Sequence, residues 1–160
     1  MMEISDKKNA QFLVYYLKQV GIKDIVICPG SRNLPLILSF ENDPFFEIHT
    51  VIDERSAGFI ALGLSRASHN PLAILTTSGS ATLNLAPSIL EAYYEQIPLL
   101  AITADRPPEW IDKGENQTFR QQNIFQNYIQ AAIQLDEKID FESANDLFET
   151  IYPHLFYPPQ

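Results

Sequence analysis

Apolar residues in this chain fall into five short runs, separated by stretches in which they recur at helical spacing. The runs at residues 25–28, 72–76 and 99–103 are nearly continuous in Val, Ile, Leu and Ala, with a more mixed run at 46–51 that holds Phe46, Ile48 and Val51, and a weaker one at 131–135. Continuous apolar runs predict strands buried on both faces rather than on one. Between them, residues 8–20 place Phe12, Leu13, Tyr16, Leu17 and Val20 on one side of a helix. Residues 34–40, 56–67 and 81–94 read as helices in the same way. Strands alternating with helices predict a parallel sheet with helices on both faces. Right-handed crossovers then make it a doubly wound α/β layer. The segment 152–160 is aromatic, proline-rich and unpatterned, and reads as an irregular tail.

The length of 160 residues is enough for a single domain with a real core, spanning residues 1–160. An apolar share of 46%, with ten Phe and seven Tyr, points to a packed globular chain rather than a disordered one. No run reaches the length of a membrane span. Residues 1–11 are polar and charged, which argues against a secretory signal. Cys28 is the one cysteine, so no internal disulfide can form, and the expected location is the cytoplasm. A net charge of −9 disfavours nucleic acid as a partner. Against that acidic background, Arg32, Arg55, Arg106 and Arg120 all fall in segments that follow strands. Forked guanidinium groups there suggest a local anion site, with surface ion pairs as the alternative.

Ligands of open α/β sheets bind beyond the carboxyl ends of the strands, and the polar chemistry of this chain collects there. The first strand leads into Pro29, Gly30, Ser31, Arg32 and Asn33, with glycine for a tight turn beside a helix start. The second leads to Asp53 and Glu54. Flanking Val51, Ile52, Ala57, Phe59 and Ile60 would desolvate the Glu54 carboxyl and suit it to proton handling. The nearby helix N-terminus pulls the other way, and a helix-dipole charge is the alternative reading. After the third strand come Thr77, Ser78, Gly79 and Ser80, which also suit an ordinary helix cap. Beyond the fourth lie Asp105 and Arg106, then a polar stretch holding Asn116 and Gln117 that packing does not require. His49, His69 and His154 are scattered and form no metal-ligand spacing.

Residues 28–36 (Cys-Pro-Gly-Ser-Arg-Asn-Leu-Pro-Leu), 53–59 (Asp-Glu-Arg-Ser-Ala-Gly-Phe) and 76–84 (Thr-Thr-Ser-Gly-Ser-Ala-Thr-Leu-Asn) resemble the amino-terminal part of thiamine-diphosphate enzymes. Together with residues 103–109 and 114–117, they resemble the branch of that family that serves menaquinone biosynthesis. The resemblance runs in order over residues 8–135. It implies a pyrimidine-binding domain, followed in the family by a central and a diphosphate-binding domain. It implies thiamine diphosphate and Mg²⁺ as cofactors of a transferase acting on 2-oxoglutarate and isochorismate. Glu54 would meet N1′ of the aminopyrimidine, and Thr77, Ser78, Gly79 and Ser80 would border the cofactor. Ser31, Arg32, Asn116 and Gln117 would contact isochorismate, while Arg106 would be an anion-binding or regulatory residue.

The Gly-Asp-Gly and asparagine-rich segment that holds Mg²⁺ and diphosphate in the family is missing, so no metal ligands are expected here. The expectation is therefore a fragment, inactive alone. The small subunit of a split thiamine-diphosphate decarboxylase and a non-catalytic anion-binding module are the alternatives. Self-association is expected too, because the apolar residues of 81–94 cover more than one helical face.

Overall fold

The computed structural model describes residues 5–114 and 116–156. Four parallel strands form one sheet in the order β2-β1-β3-β4: β1 Asp24–Ile27, β2 Glu47–Thr50, β3 Leu72–Thr76 and β4 Leu99–Thr103. Each strand is joined to the next by a crossover, as a parallel sheet requires. Helix α1 (Lys8–Gln19) precedes β1, α2 (Leu34–Glu41) links β1 to β2, and α3 (Glu54–Ser68) links β2 to β3. The expected doubly wound layer is what the chain forms.

Alternation along the strands divides the core in two. Ile25, Ile27, Ala73 and Leu75 face α1 and α2 and bury Phe12, Leu17 and Phe40 on that side. Val26, Cys28, Leu72 and Ile74 face the other way, against Ala57 and Ala61 of α3 and against Leu85 and Ile89. A strand whose successive side chains serve opposite cores has few polar positions to spare, which is why residues 25–27 of β1 and 72–75 of β3 are apolar without interruption. Each fully buried large side chain contributes roughly 1.5–3 kcal/mol relative to exposure.

Three expectations are corrected. Residues 131–135 form no strand: Ile133 and Leu135 lean partly on the first core, and their backbone joins no ladder. Residues 81–94 are two helices, α4 (Ser80–Asn84) and α5 (Ala86–Tyr94). Pro87 has no N–H to carry the ladder across the junction, so a new helix starts there. Residues 152–156 are helical, not irregular, and end α6 (Phe141–Phe156); residues 157–160 lie outside the described part.

Helix α6 itself was not anticipated, although its signals are present. Asp140 accepts a hydrogen bond from the Ser143 amide at 2.9 Å, an N-terminal cap. Ala144, Phe148, Ile151 and Leu155 recur on one buried face. Phe148 docks on α1, with ring centroids 5.1 Å from Phe12 and 4.0 Å from Tyr16. Among the described residues no helix is long and apolar enough to cross a membrane.

Candidate functional site

Asn33 anchors the loop after β1. It is fully buried, donates from Nδ2 to the Cys28 carbonyl at 2.8 Å, and its own carbonyl accepts the first amides of α2. The loop is thereby held at both ends, with Ser31 exposed and Arg32 half-exposed between them. Gly30 acts differently from expectation. A Cβ there would lie 2.5 Å from Cβ of Thr77, so the glycine lets the β1 loop press against the β3 loop. Thr77 is correspondingly buried and used in packing, and Ser80 is exposed at the start of α4.

Arg32 gathers the neighbouring loops. Its Nη1 donates to Ser31 Oγ at 3.0 Å and to Gln117 Oε1, and its Nη2 donates to the Asn116 carbonyl at 3.4 Å. Gln117 continues the network: its Nε2 donates to the Ser78 carbonyl at 3.1 Å, and Ser78 Oγ donates back to the Gln117 carbonyl at 3.1 Å. Ser31, Arg32, Asn116, Gln117 and Ser78 therefore meet at one place, although Arg32 and Gln117 are 85 residues apart. Asn116 enters this network through its backbone. The expectation that packing does not need this polar stretch is corrected, since Gln117 closes over Gly79 with its Cγ 3.0 Å from where a Cβ would stand. Gly79 has φ 84° and ψ −142°, a conformation open essentially to glycine alone.

Glu54 opens α3, one residue after Asp53, whose Oδ1 caps the helix by accepting from the Ser56 amide at 2.8 Å. Glu54 Oε2 accepts from Asn84 Nδ2 at 3.0 Å. The apolar enclosure expected for Glu54 is absent: Ile52 is 86% exposed, and Phe59 and Ile60 are exposed too. Five or six residues along a helix point to other faces, so sequence neighbours need not be neighbours in space. Glu54 does stand near the end of β1. The Cys28 thiol is pushed up to about 12, chiefly by burial and then by the negative charges of Glu54 and Asp53. Cys28 is thus an inert buried thiol.

The other arginines divide. Arg120 pairs with Asp112 at 2.7 Å on the surface, and Arg55 is exposed. Arg106 lies over the Trp110 ring, 4.2 Å from its centroid, and among the described residues no hydrogen bond joins it to the Arg32 network. Arg32 and Arg106 line one open groove of about 1120 Å³ that follows β4. Of the arginines placed after strands, Arg32 and Arg106 share this groove and Arg120 is a surface ion pair.

Two partners escaped the sequence reading. Asn84 reaches Glu54 across 30 residues, and Gln121 spans the loops after β3 and β4 from a buried position. Asn84 lies within a segment already singled out. Gln121 carries no local signal beyond being one polar residue among many.

Residues 7–132 match the family described as "Thiamine pyrophosphate enzyme, N-terminal TPP binding domain". Several relatives are named 2-succinyl-5-enolpyruvyl-6-hydroxy-3-cyclohexene-1-carboxylate synthase. The protein of that name from Porphyromonas gingivalis is 42% identical, over 98% of this chain and 28% of its own length. That from Phocaeicola vulgatus is 47% identical, over 83% of this chain and 24% of its own length. That from Cytophaga hutchinsonii is 50% identical, over 74% and 21%. The chain spans about a quarter of the length of these curated relatives.

Proposed function

The chain belongs to the thiamine pyrophosphate enzymes as an N-terminal TPP binding domain, and from that premise we propose that it serves a synthase that decarboxylates 2-oxoglutarate and adds the succinyl unit to isochorismate. The observation that carries the reading is the meeting of Ser31, Arg32, Asn116 and Gln117 beside the Ser78–Gly79 turn. These residues come from loops at the carboxyl end of the sheet, where substrates of such folds bind. The synthase name carried by the relatives supports the same reaction.

The residues present suit the pyrimidine end of thiamine diphosphate. Glu54 offers a half-exposed carboxylate at a helix start, with Asn84 fixing one of its oxygens. When bound, the cofactor supplies the electron sink for decarboxylation and the carbon nucleophile. Glu54 holds the proton at N1′ of the aminopyrimidine and so controls its tautomer. Thr77, Ser78, Gly79 and Ser80 would border the cofactor. Arg32, with Ser31, Asn116 and Gln117, binds the carboxylates of isochorismate, and Arg106 offers a second cation along the same groove. Among the described residues no three His, Cys, Asp or Glu side chains are grouped to hold a metal ion. We place the ligands of Mg²⁺ outside this chain, in a longer polypeptide or a partner. The exposed Leu83, Leu90, Tyr93 and Tyr94 give a surface for self-association.

The test is Glu54→Gln in the full-length enzyme. Turnover should fall at least about a hundredfold with the fold intact, because the amide keeps the shape without sharing the proton. Turnover near that of the unaltered enzyme would overturn the assignment.

A further inference from the structure

Gln121 is a polar side chain only 8% exposed, and the reaction chemistry makes no use of it. Its Oε1 accepts from the Gly79 amide at 2.8 Å, and its Nε2 donates to the Ala104 carbonyl at 3.0 Å. The two partners fix which way the carboxamide points, since one can only donate and the other only accept. Gly79 makes the turn after β3, and Ala104 is the first residue beyond β4. One neutral side chain therefore ties two adjacent loops together at the edge of the sheet where the Arg32 network lies.

That tie acts on a backbone that needs holding. Gly79 sits in a conformation reserved for glycine, and such geometry persists only where the surroundings over-determine it. Gln117, four residues before Gln121, grips the same turn from the other side through its two hydrogen bonds with Ser78. Gln117 is itself at φ 60°, and its Oε1 is the acceptor for Arg32. Displacing the Gly79 turn moves Ser78, then the Gln117 carboxamide, then the guanidinium.

We infer that Gln121 is a positioning residue, which sets the Ser78–Gly79 turn and through it the orientation of Gln117 and Arg32 toward substrate. Its functional part rests on the reading of Arg32 and Gln117 as isochorismate-binding groups.

Two measurements test it. In the chain itself, Gln121→Met keeps the length and removes both hydrogen bonds. The Gly79 amide should then exchange with solvent about tenfold faster, the scale of one hydrogen bond, while the Ile74 and Leu75 amides keep their protection. Gln121→Asn, one methylene too short to span both loops, should act in the same direction and serves if the Met variant does not fold. Unchanged Gly79 exchange in a folded variant overturns the tie.

In the full-length enzyme, Gln121→Met should raise KM for isochorismate about tenfold and KM for 2-oxoglutarate much less, since the Ser78–Gly79 turn also borders the cofactor. Equal effects on both substrates would reduce Gln121 to scaffolding. Arg32→Ala separates the two failures. If it too leaves isochorismate binding unchanged, the functional reading has failed, and the Gly79 exchange still decides whether Gln121 holds the turn.

Discussion

Strands β3 and β4 are built from the same five residues in different order, Leu-Ala-Ile-Leu-Thr and Leu-Leu-Ala-Ile-Thr, yet every residue of β3 is buried and every residue of β4 is half-exposed. They lie side by side in register, Leu72 opposite Leu99 and Thr76 opposite Thr103. The difference comes from position in the sheet. β3 has β1 on one flank and β4 on the other, whereas β4 pairs only with β3. Beyond β4 runs the 121–138 segment, which lines the groove without joining the ladder. Composition decided that both would be strands, and sheet order decided which would be the centre.

The sharpest way to break that comparison is to remove the same side chain from both strands. Ile74→Ala should cost about 2–5 kcal/mol, as expected for a fully buried isoleucine, and Ile102→Ala about half as much. Urea unfolding of the two variants measures the gap. Equal losses would mean that β4 is as well covered as β3 in solution.

The close approach of the central strands gives a second test. Gly30→Ala drives a Cβ into Thr77 at the end of β3 and should cost about 1–3 kcal/mol through overpacking. Pairing it with Thr77→Gly removes the obstructing side chain, so the double variant should be more stable than the sum of the two single losses. Strict additivity would show that the two loops can part freely.

The smallest expected effect lies away from both strands and serves as a control on the acid side. Burial alone would raise the Asp43 carboxyl, but hydrogen bonds from Lys18 and the Phe45 amide, with the Lys18 charge, hold it below the usual carboxylate range. A carboxyl lowered in the folded chain adds stability above its unfolded value of about 3.9, and that stability is lost as pH falls through the native value. Asp43→Asn should therefore flatten the loss of stability below about pH 4. Thermal unfolding between pH 3 and pH 6 reads this, and unchanged acid sensitivity would remove Asp43 from the account.

Legibility followed the range over which each cue acts. Residues 72–76 and 99–103 are strands over the same residues the apolar runs predict, because the run sets the length. Helix α6 is encoded locally as well, by an aspartate cap and the 144, 148, 151, 155 spacing. The weak apolar run of 131–135 predicts a strand, but a strand also needs a partner edge, and the backbone there takes none. For the site, Arg32, Gln117 and Glu54 each stood out by residue type and by place after a strand. The open surroundings of Glu54 did not, because they depend on where Ile52 and Phe59 turn.

The sequence by itself determined the parallel α/β layer, the loops that carry the polar chemistry, and the family to which they belong, since periodicity, turn residues and motifs are written within a few positions of one another. Only the tertiary structure decided that Arg32 meets Gln117, that Asn84 holds Glu54, and that Gln121 joins Gly79 to Ala104. Those contacts join residues 17 to 85 positions apart. A hydrogen bond acts over about 3 Å, so its partners are chosen by how the strands are ordered and how the loops fold back, and no local pattern encodes that.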